Sequence, residues 1–315
     1  MIFEKLFLDE SNPNVTLTTY VLSDSEEILK GKNRPAVLVC PGGAYAFCSD
    51  REAEPIALQF NAMGYHAFVL NYSVFSHSGG YFATPESEVY KPSVQPGPMI
   101  EIGKAMLAIR ENAEKWHVDM DKVILTGYSA GGHNVAMFST YWDKPVICEA
   151  LGCKPADIRP AAAVIGYGFF DVRAFQEELD RIGDQNRIGM NYAINFNFSG
   201  KFHPDDEEYE FNSPAHQVSE NTPPMFLWST FEDSTVPVSQ TTIMATALAT
   251  HDIPFEMHIF EKGDHGLSTA NHTSAAAMDQ TNADVAQWIG LADRWLRKRF
   301  IPEIPEVTPP WNGNV

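Results

Sequence analysis

The residue best suited to nucleophilic chemistry lies in Val123-Ile124-Leu125-Thr126-Gly127-Tyr128-Ser129-Ala130-Gly131-Gly132. Residues 123–126 read as a buried strand and 130–141 as a helix. Between them, Gly127-Tyr128-Ser129-Ala130-Gly131 is a G-x-S-x-G turn. Strand, tight turn and helix in that order form a setting that holds a serine strained and exposed at the end of a sheet. Glycines at both ends of the pattern let strand and helix approach closely. Five residues alone prove little, because at ordinary Gly and Ser frequencies the pattern arises by chance in about one chain in ten of this length. A serine hydroxyl is also a poor nucleophile unless a base takes its proton and an acid orients that base.

Of the ten histidines, His265 has the best setting for the base. It lies in Glu261-Lys262-Gly263-Asp264-His265-Gly266, a glycine-bracketed turn just past a strand at 255–260. From there an imidazole can reach back over a sheet edge. The acid is expected after the preceding strand, 225–229, where the chain reads Thr230-Phe231-Glu232-Asp233-Ser234. Open α/β sheets hold their sites at such carboxyl ends. Asp233 ranks first; Glu232 beside it and Asp171, after a strand at 161–166, are the alternatives. A purely structural role for Asp233, capping the helix that follows, stands beside the chemical one. Acyl transfer further needs backbone N–H groups to hold an oxyanion. Ala130, after the nucleophile and at a helix N-terminus, is expected to supply one. Gly43 and Ala44, in the Pro41-Gly42-Gly43-Ala44 loop after a strand at 35–40, are expected to supply the other. A glycine pair after a strand also makes an ordinary tight turn.

These residues need a scaffold, and the hydrophobic pattern describes one. Alternating runs at 2–8 and 15–22, split by Asn12-Pro13-Asn14, read as a hairpin. Near-continuous apolar strands at 35–40, 66–71, 161–166 and 225–229, and a further strand at 255–260, alternate with helices at 52–63, 99–116, 130–141, 238–251 and 281–300. That rhythm implies a mostly parallel sheet with helices on both faces. Two stretches break it. Residues 73–98 are rich in Ser, Gly, Pro and Tyr and read as a site-lining loop. Residues 171–222 hold a short helix at 175–181 and an irregular part at 191–210, and read as a cap insertion. The whole, 1–315, is expected to be one domain, with both insertions forming a lid or cap over the site. The last fifteen residues carry four prolines and suggest an extended arm.

With 22 basic and 41 acidic residues the formal charge is 22 − 41 = −19. That balance repels phosphate backbones and anionic lipid surfaces, so neither nucleic acid nor membrane is an expected partner. The N-terminus lacks a signal-peptide pattern and no run reaches transmembrane length. The four cysteines lack C-x-x-C spacing, which fits a cytoplasmic protein with reduced thiols; a Cys148–Cys153 bridge is the less favoured reading. No His/Asp/Glu group has metal-ligand spacing, and His203-x-Asp205-Asp206 reads as a solvated acidic turn. Oligomeric state is left open, a homo-oligomer included.

Together these segments resemble the α/β-hydrolase superfamily, in its esterase/lipase-like branch related to acetyl xylan esterases and feruloyl-esterase-like (BD-FAE-like) proteins. The resemblance runs from Arg34-Pro35-Ala36-Val37-Leu38-Val39-Cys40-Pro41-Gly42-Gly43-Ala44-Tyr45 through Gly127-Tyr128-Ser129-Ala130-Gly131-Gly132-His133. It continues in Thr222-Pro223-Pro224-Met225-Phe226, Asp233 with Val236-Pro237-Val238, and Gly263-Asp264-His265-Gly266. It implies the α/β-hydrolase fold, a Ser129–His265–Asp233 triad, and hydrolysis of short acyl esters without a cofactor, often acetyl esters of carbohydrates. The family loop usually reads Pro-Gly-Gly-Gly-Tyr, and here Ala44 replaces its third glycine. Segment 171–222 matches no pattern of the family. The alternatives are a serine peptidase or lipase of the same fold, or a non-catalytic binding module. Three filled triad positions speak against the last.

Overall fold

The computed structural model describes residues 1–28, 30–80 and 82–300. The expected proline-rich arm lies outside them. The chain begins with an antiparallel hairpin, β1 (Lys5–Phe7) and β2 (Thr16–Tyr20). Strand β3 (Arg34–Cys40), helix α1 (Glu54–Ala62) and strand β4 (His66–Asn71) form the first parallel unit. Helices α2 (Gly97–Glu111) and α3 (Ala113–Trp116) lead into β5 (Val118–Tyr128), followed by α4 (Ala130–Tyr141) and α5 (Pro145–Leu151). Strand β6 (Ala162–Gly166) is followed by α6 (Val172–Ile182), α7 (Gln185–Ser199) and α8 (Asp206–Phe211). The chain then forms β7 (Met225–Thr230), α9 (Ser239–Thr250), β8 (Phe255–Phe260) and α10 (Trp288–Arg297).

The strands form one sheet in the order β1-β2-β4-β3-β5-β6-β7-β8, antiparallel at the hairpin and parallel from β4 onward. The central strands are buried on both faces, and their side chains alternate between two cores as a period of two requires. Leu38, Leu125, Ile165 and Leu227 pack with α2, α4 and α9 on one face. Val37, Ile124, Val164 and Phe226 pack with α1 and α10 on the other. In α10 the apolar stripe is carried by Trp288, Ala292 and Trp295, with Trp288 stacked on Trp228 at 5.1 Å. The chain runs from β3 outward to β4, then crosses back to β5 on the other side of β3. A crevice therefore opens at the carboxyl ends of β3 and β5, where such sheets bind ligands.

Several element boundaries differ from the sequence expectation. Helix 281–300 begins later, because the side chain of Asn282 accepts the backbone N–H groups of Asp284 and Val285 and holds a turn there. Asn112 separates α2 from α3 within the expected single helix. The irregular reading of 191–210 is wrong: most of it lies in α7 and α8. Asp184 caps α7 through the N–H groups of Asn186 and Arg187, and Gly200 (φ 78°) ends it. His203-x-Asp205-Asp206 is no mere acidic turn, since Asp205 forms a capping box with Glu208 and pairs with Lys201. Among the described residues of 73–98, two short 3₁₀ turns precede α2. All four cysteines are free thiols, Cys148 and Cys153 included. Among the described residues no helix is long and apolar enough to cross a membrane.

Candidate active site

Strand β5 delivers Ser129 to the crevice. The backbone of Ser129 adopts φ 52° and ψ −123°, a costly conformation for a residue with a Cβ, and its N–H donates to Gly166 O at 3.1 Å. The turn is this tight because its glycines leave no room for anything else. A methyl group at Gly127 would overlap Gly131 O, and one at Gly131 would overlap the carbonyl oxygens of Cys40 and Pro41. Strand, turn, helix and donor loop are thus in direct backbone contact, and Ser129 itself remains half-buried, open to a ligand.

His265 and Asp233, from the loops after β8 and β7, meet this serine. His265 Nε2 lies 2.8 Å from Ser129 Oγ, and His265 Nδ1 lies 2.7 Å from Asp233 Oδ2. A carboxylate only accepts, so Nδ1 carries the proton and Nε2 is free to accept from the serine hydroxyl. The Asp233 side chain is 1% exposed against 17% for His265. Its other oxygen, Oδ1, accepts the N–H groups of Thr235 and Val236, both at 2.8 Å. The capping alternative therefore holds only for a local turn, while Oδ2 faces the histidine. Burial pushes the His265 imidazole toward neutrality, but the charge and hydrogen bond of Asp233, with Glu52 and Asp264 nearby, outweigh it and raise its pKa above 6.5. Asp264 Oδ1 also accepts from Ser234 N, Ser234 Oγ and His265 N, which ties the acid loop to the base loop.

The two alternative acids lie elsewhere. Glu232 is paired with Lys262 at the surface. Asp171 caps α6 through Ala174 N–H and contacts His216.

The donor loop after β3 is wound through consecutive positive φ values: Gly43 at 122°, Ala44 at 60° and Tyr45 at 53°. A methyl at Gly42 would stand 2.9 Å from Ser129 Cβ, so the loop runs directly beside the nucleophile. Among the described residues, no protein acceptor takes the N–H groups of Gly43, Ala44 or Ala130. Those three amides remain available to an oxyanion.

Several residues that hold this loop escaped the sequence reading. Glu52, buried in the 3₁₀ turn before α1, accepts Gly42 N–H on Oε2 at 2.8 Å and the Tyr167 hydroxyl on Oε1 at 2.7 Å. Tyr167 lies edge-on to His265, with ring centroids 5.0 Å apart. On the other side of the loop, Tyr45 donates its hydroxyl proton to His133 Nδ1 at 2.7 Å and accepts from Gln95 Nε2 at 3.1 Å. His133 Nε2–H donates to Asn212 O at 2.8 Å, and its ring stacks on Phe169 at 4.1 Å. Burial drives the His133 pKa down to about 4, so this network runs on a neutral imidazole. The expected insertions meet here as well. Asn197 of α7 donates to Ala44 O at 3.0 Å, and Ser93 and Gln95 bond to the α7 carbonyls of Asn197 and Phe198. The available signal was a polar residue next to each motif, His133 after Gly132 and Tyr45 after Ala44. Glu52 had none.

The chain is 32% identical over 243 residues to endo-1,4-beta-xylanase B of Butyrivibrio fibrisolvens, covering 76% of this chain and 33% of that protein. It superposes on a solved carboxylesterase from Lactobacillus plantarum with TM-score 0.75 and 27% identity, covering 95% and 98% of the two chains. An acetyl ester-xyloside bifunctional hydrolase from Caldicellulosiruptor lactoaceticus matches with TM-score 0.70 and 29% identity over 92% and 90%. The chain spans only a third to about half the length of the curated relatives it matches. The fold is that of the α/β hydrolases. The BD-FAE family model matches residues 27–248, and the chain belongs to that family.

Proposed function

We propose that the protein is a serine carboxylesterase acting on short acyl esters, with acetyl esters of carbohydrates as its preferred class. The observation that carries this reading is the hydrogen-bonded chain from Ser129 Oγ through His265 to Asp233, at 2.8 and 2.7 Å. Ser129 Oγ attacks the ester carbonyl while its proton passes to His265 Nε2, and Asp233 stabilises the imidazolium that forms. The amides of Gly43, Ala44 and Ala130 hold the oxyanion. Collapse breaks the C–O bond to the alcohol, which leaves with the proton from His265. Water, deprotonated by the same histidine, then releases the acid and restores Ser129. The acetylated-carbohydrate preference draws on the names of two relatives, a xylanase and an acetyl ester-xyloside hydrolase. Residues 73–98 and 171–222, both bonded to the donor loop, form the walls that limit acyl length.

Ser129→Ala is expected to lower ester hydrolysis by roughly 10³-fold or more with the fold intact. A panel of nitrophenyl esters from acetate upward, then acetylated xylosides, tests the substrate class. Activity that climbs steadily with chain lengths beyond about eight carbons would contradict the short-acyl reading, because a pocket shaped for short acyl groups discriminates by roughly 1–3 kcal/mol per methylene.

A further inference from the structure

We propose that Glu52 is a positioning residue for acyl transfer, holding the oxyanion loop and the His265 loop in a single register. The proposal rests on the esterase reading above. The two loops follow β3 and β8, which are separated in the sheet by β5, β6 and β7. Sheet hydrogen bonds therefore do not fix one loop against the other. The turn Asp50–Glu52 does. On one side Glu52 takes Gly42 N–H, next to the donor amides of Gly43 and Ala44. On the other, Glu52 takes the Tyr167 hydroxyl proton, and the same Tyr167 oxygen accepts Ser268 N–H at 2.9 Å, three residues past His265.

Its neighbour Arg51 reinforces the link. Its guanidinium donates to Ser274 O at 2.8 Å and Gly266 O at 2.9 Å, and its carbonyl accepts from Ser268 Oγ at 2.6 Å. Trp288 Nε1–H closes the far side on Ser268 O. Tyr167 itself takes a left-handed conformation, φ 38°, with its N–H bonded to Trp228 O.

A buried carboxylate is costly when an apolar or amide side chain would fill the same space. A charge in this position has a second use. Asp233, Glu52 and Asp264 all favour the His265 imidazolium formed during attack, while the Tyr167 ring lies edge-on to it and the cationic Arg51 guanidinium sits on the adjoining Gly266 carbonyl.

Two variants separate the parts of this role, each read as kcat per active site titrated with a fluorophosphonate. Tyr167→Phe cuts the bridge and keeps the charge. We expect kcat to fall roughly tenfold with KM within about threefold, since misplaced donor amides weaken the hold on an oxyanion that forms only in the transition state. Glu52→Gln keeps the shape and removes the charge, and the acid limb of the pH–rate profile is expected to move to lower pH. Proton NMR titration of His265 in the resting protein reads that same movement without turnover. It therefore tests Glu52 even if no ester proves to be a substrate, whereas failure of Ser129 to label would sink the esterase reading separately. Wild-type kcat in Tyr167→Phe, or an unmoved His265 titration in Glu52→Gln, overturns the proposal.

Discussion

Replacing Asp233 by Asn tests the site at its least exposed member. The two carboxylate oxygens have different duties: Oδ1 accepts two backbone N–H groups, and Oδ2 accepts His265 Nδ1–H. In the variant the single amide oxygen must serve one side. Turning the NH₂ toward Thr235 and Val236 would leave two backbone donors unpaired, at about 1–3 kcal/mol each. The oxygen therefore stays on those amides and the NH₂ faces the imidazole. His265 must then accept at Nδ1 and carry its proton on Nε2, 2.8 Å from Ser129 Oγ, where it can no longer take the serine's proton. A wrong tautomer in this arrangement costs roughly 10³–10⁴ in kcat, or about 4–5.5 kcal/mol. The assay is kcat per titrated site on nitrophenyl acetate, with circular dichroism confirming an intact fold. A folded Asp233→Asn protein within roughly tenfold of wild type would refute the tautomer argument, because such a loss is only about 1.4 kcal/mol.

Gly131→Ala should lower both thermal stability and activity, because the methyl group drives the donor loop away from the elbow; a crystal structure with Cys40 and Pro41 unmoved would contradict this. Ala44→Gly should leave activity within about threefold, since relief of roughly 1 kcal/mol of left-handed strain is offset by glycine's entropy. Ala44→Val, with a β-branched side chain at φ 60°, should lose far more in the same assay. Stability should fall as the pH drops from about 6.5 to about 4, because burial holds His66 and His133 neutral in the folded state down to about 4. The unfolded chain takes up those protons first, so the contribution is present above pH 6.5 and lost below it, up to about 3 kcal/mol per histidine. Urea titrations across that range measure it, and a flat profile would be the contrary result.

The sheet was legible in the sequence because its central strands are buried on both faces. Runs such as Val37-Leu38-Val39-Cys40 admit few other readings, and β4 and β8 have the bounds expected from the sequence. Helix α4 was equally clear, opening on the glycines of the elbow. Helix α7 was not. Its asparagines have poor helix propensity, and tertiary bonds unknown to the local sequence secure them in place. Asn191 bonds to Gln176 and Asn197 to Ala44 O. In the site, Ser129, Asp233 and His265 could be found because each follows a recognisable strand, in a set order. Glu52 could not. It sits in a polar turn, and what distinguishes it is the company it keeps in space, Gly42 and Tyr167.

The central claim is that Ser129, activated by His265, is the nucleophile. The most direct measurement is treatment of the full chain with a fluorophosphonate, followed by intact mass and peptide mapping. One adduct, mapped to Ser129 and lost in His265→Ala, is the expected result. An unlabelled Ser129, or an adduct on a different serine, would contradict it.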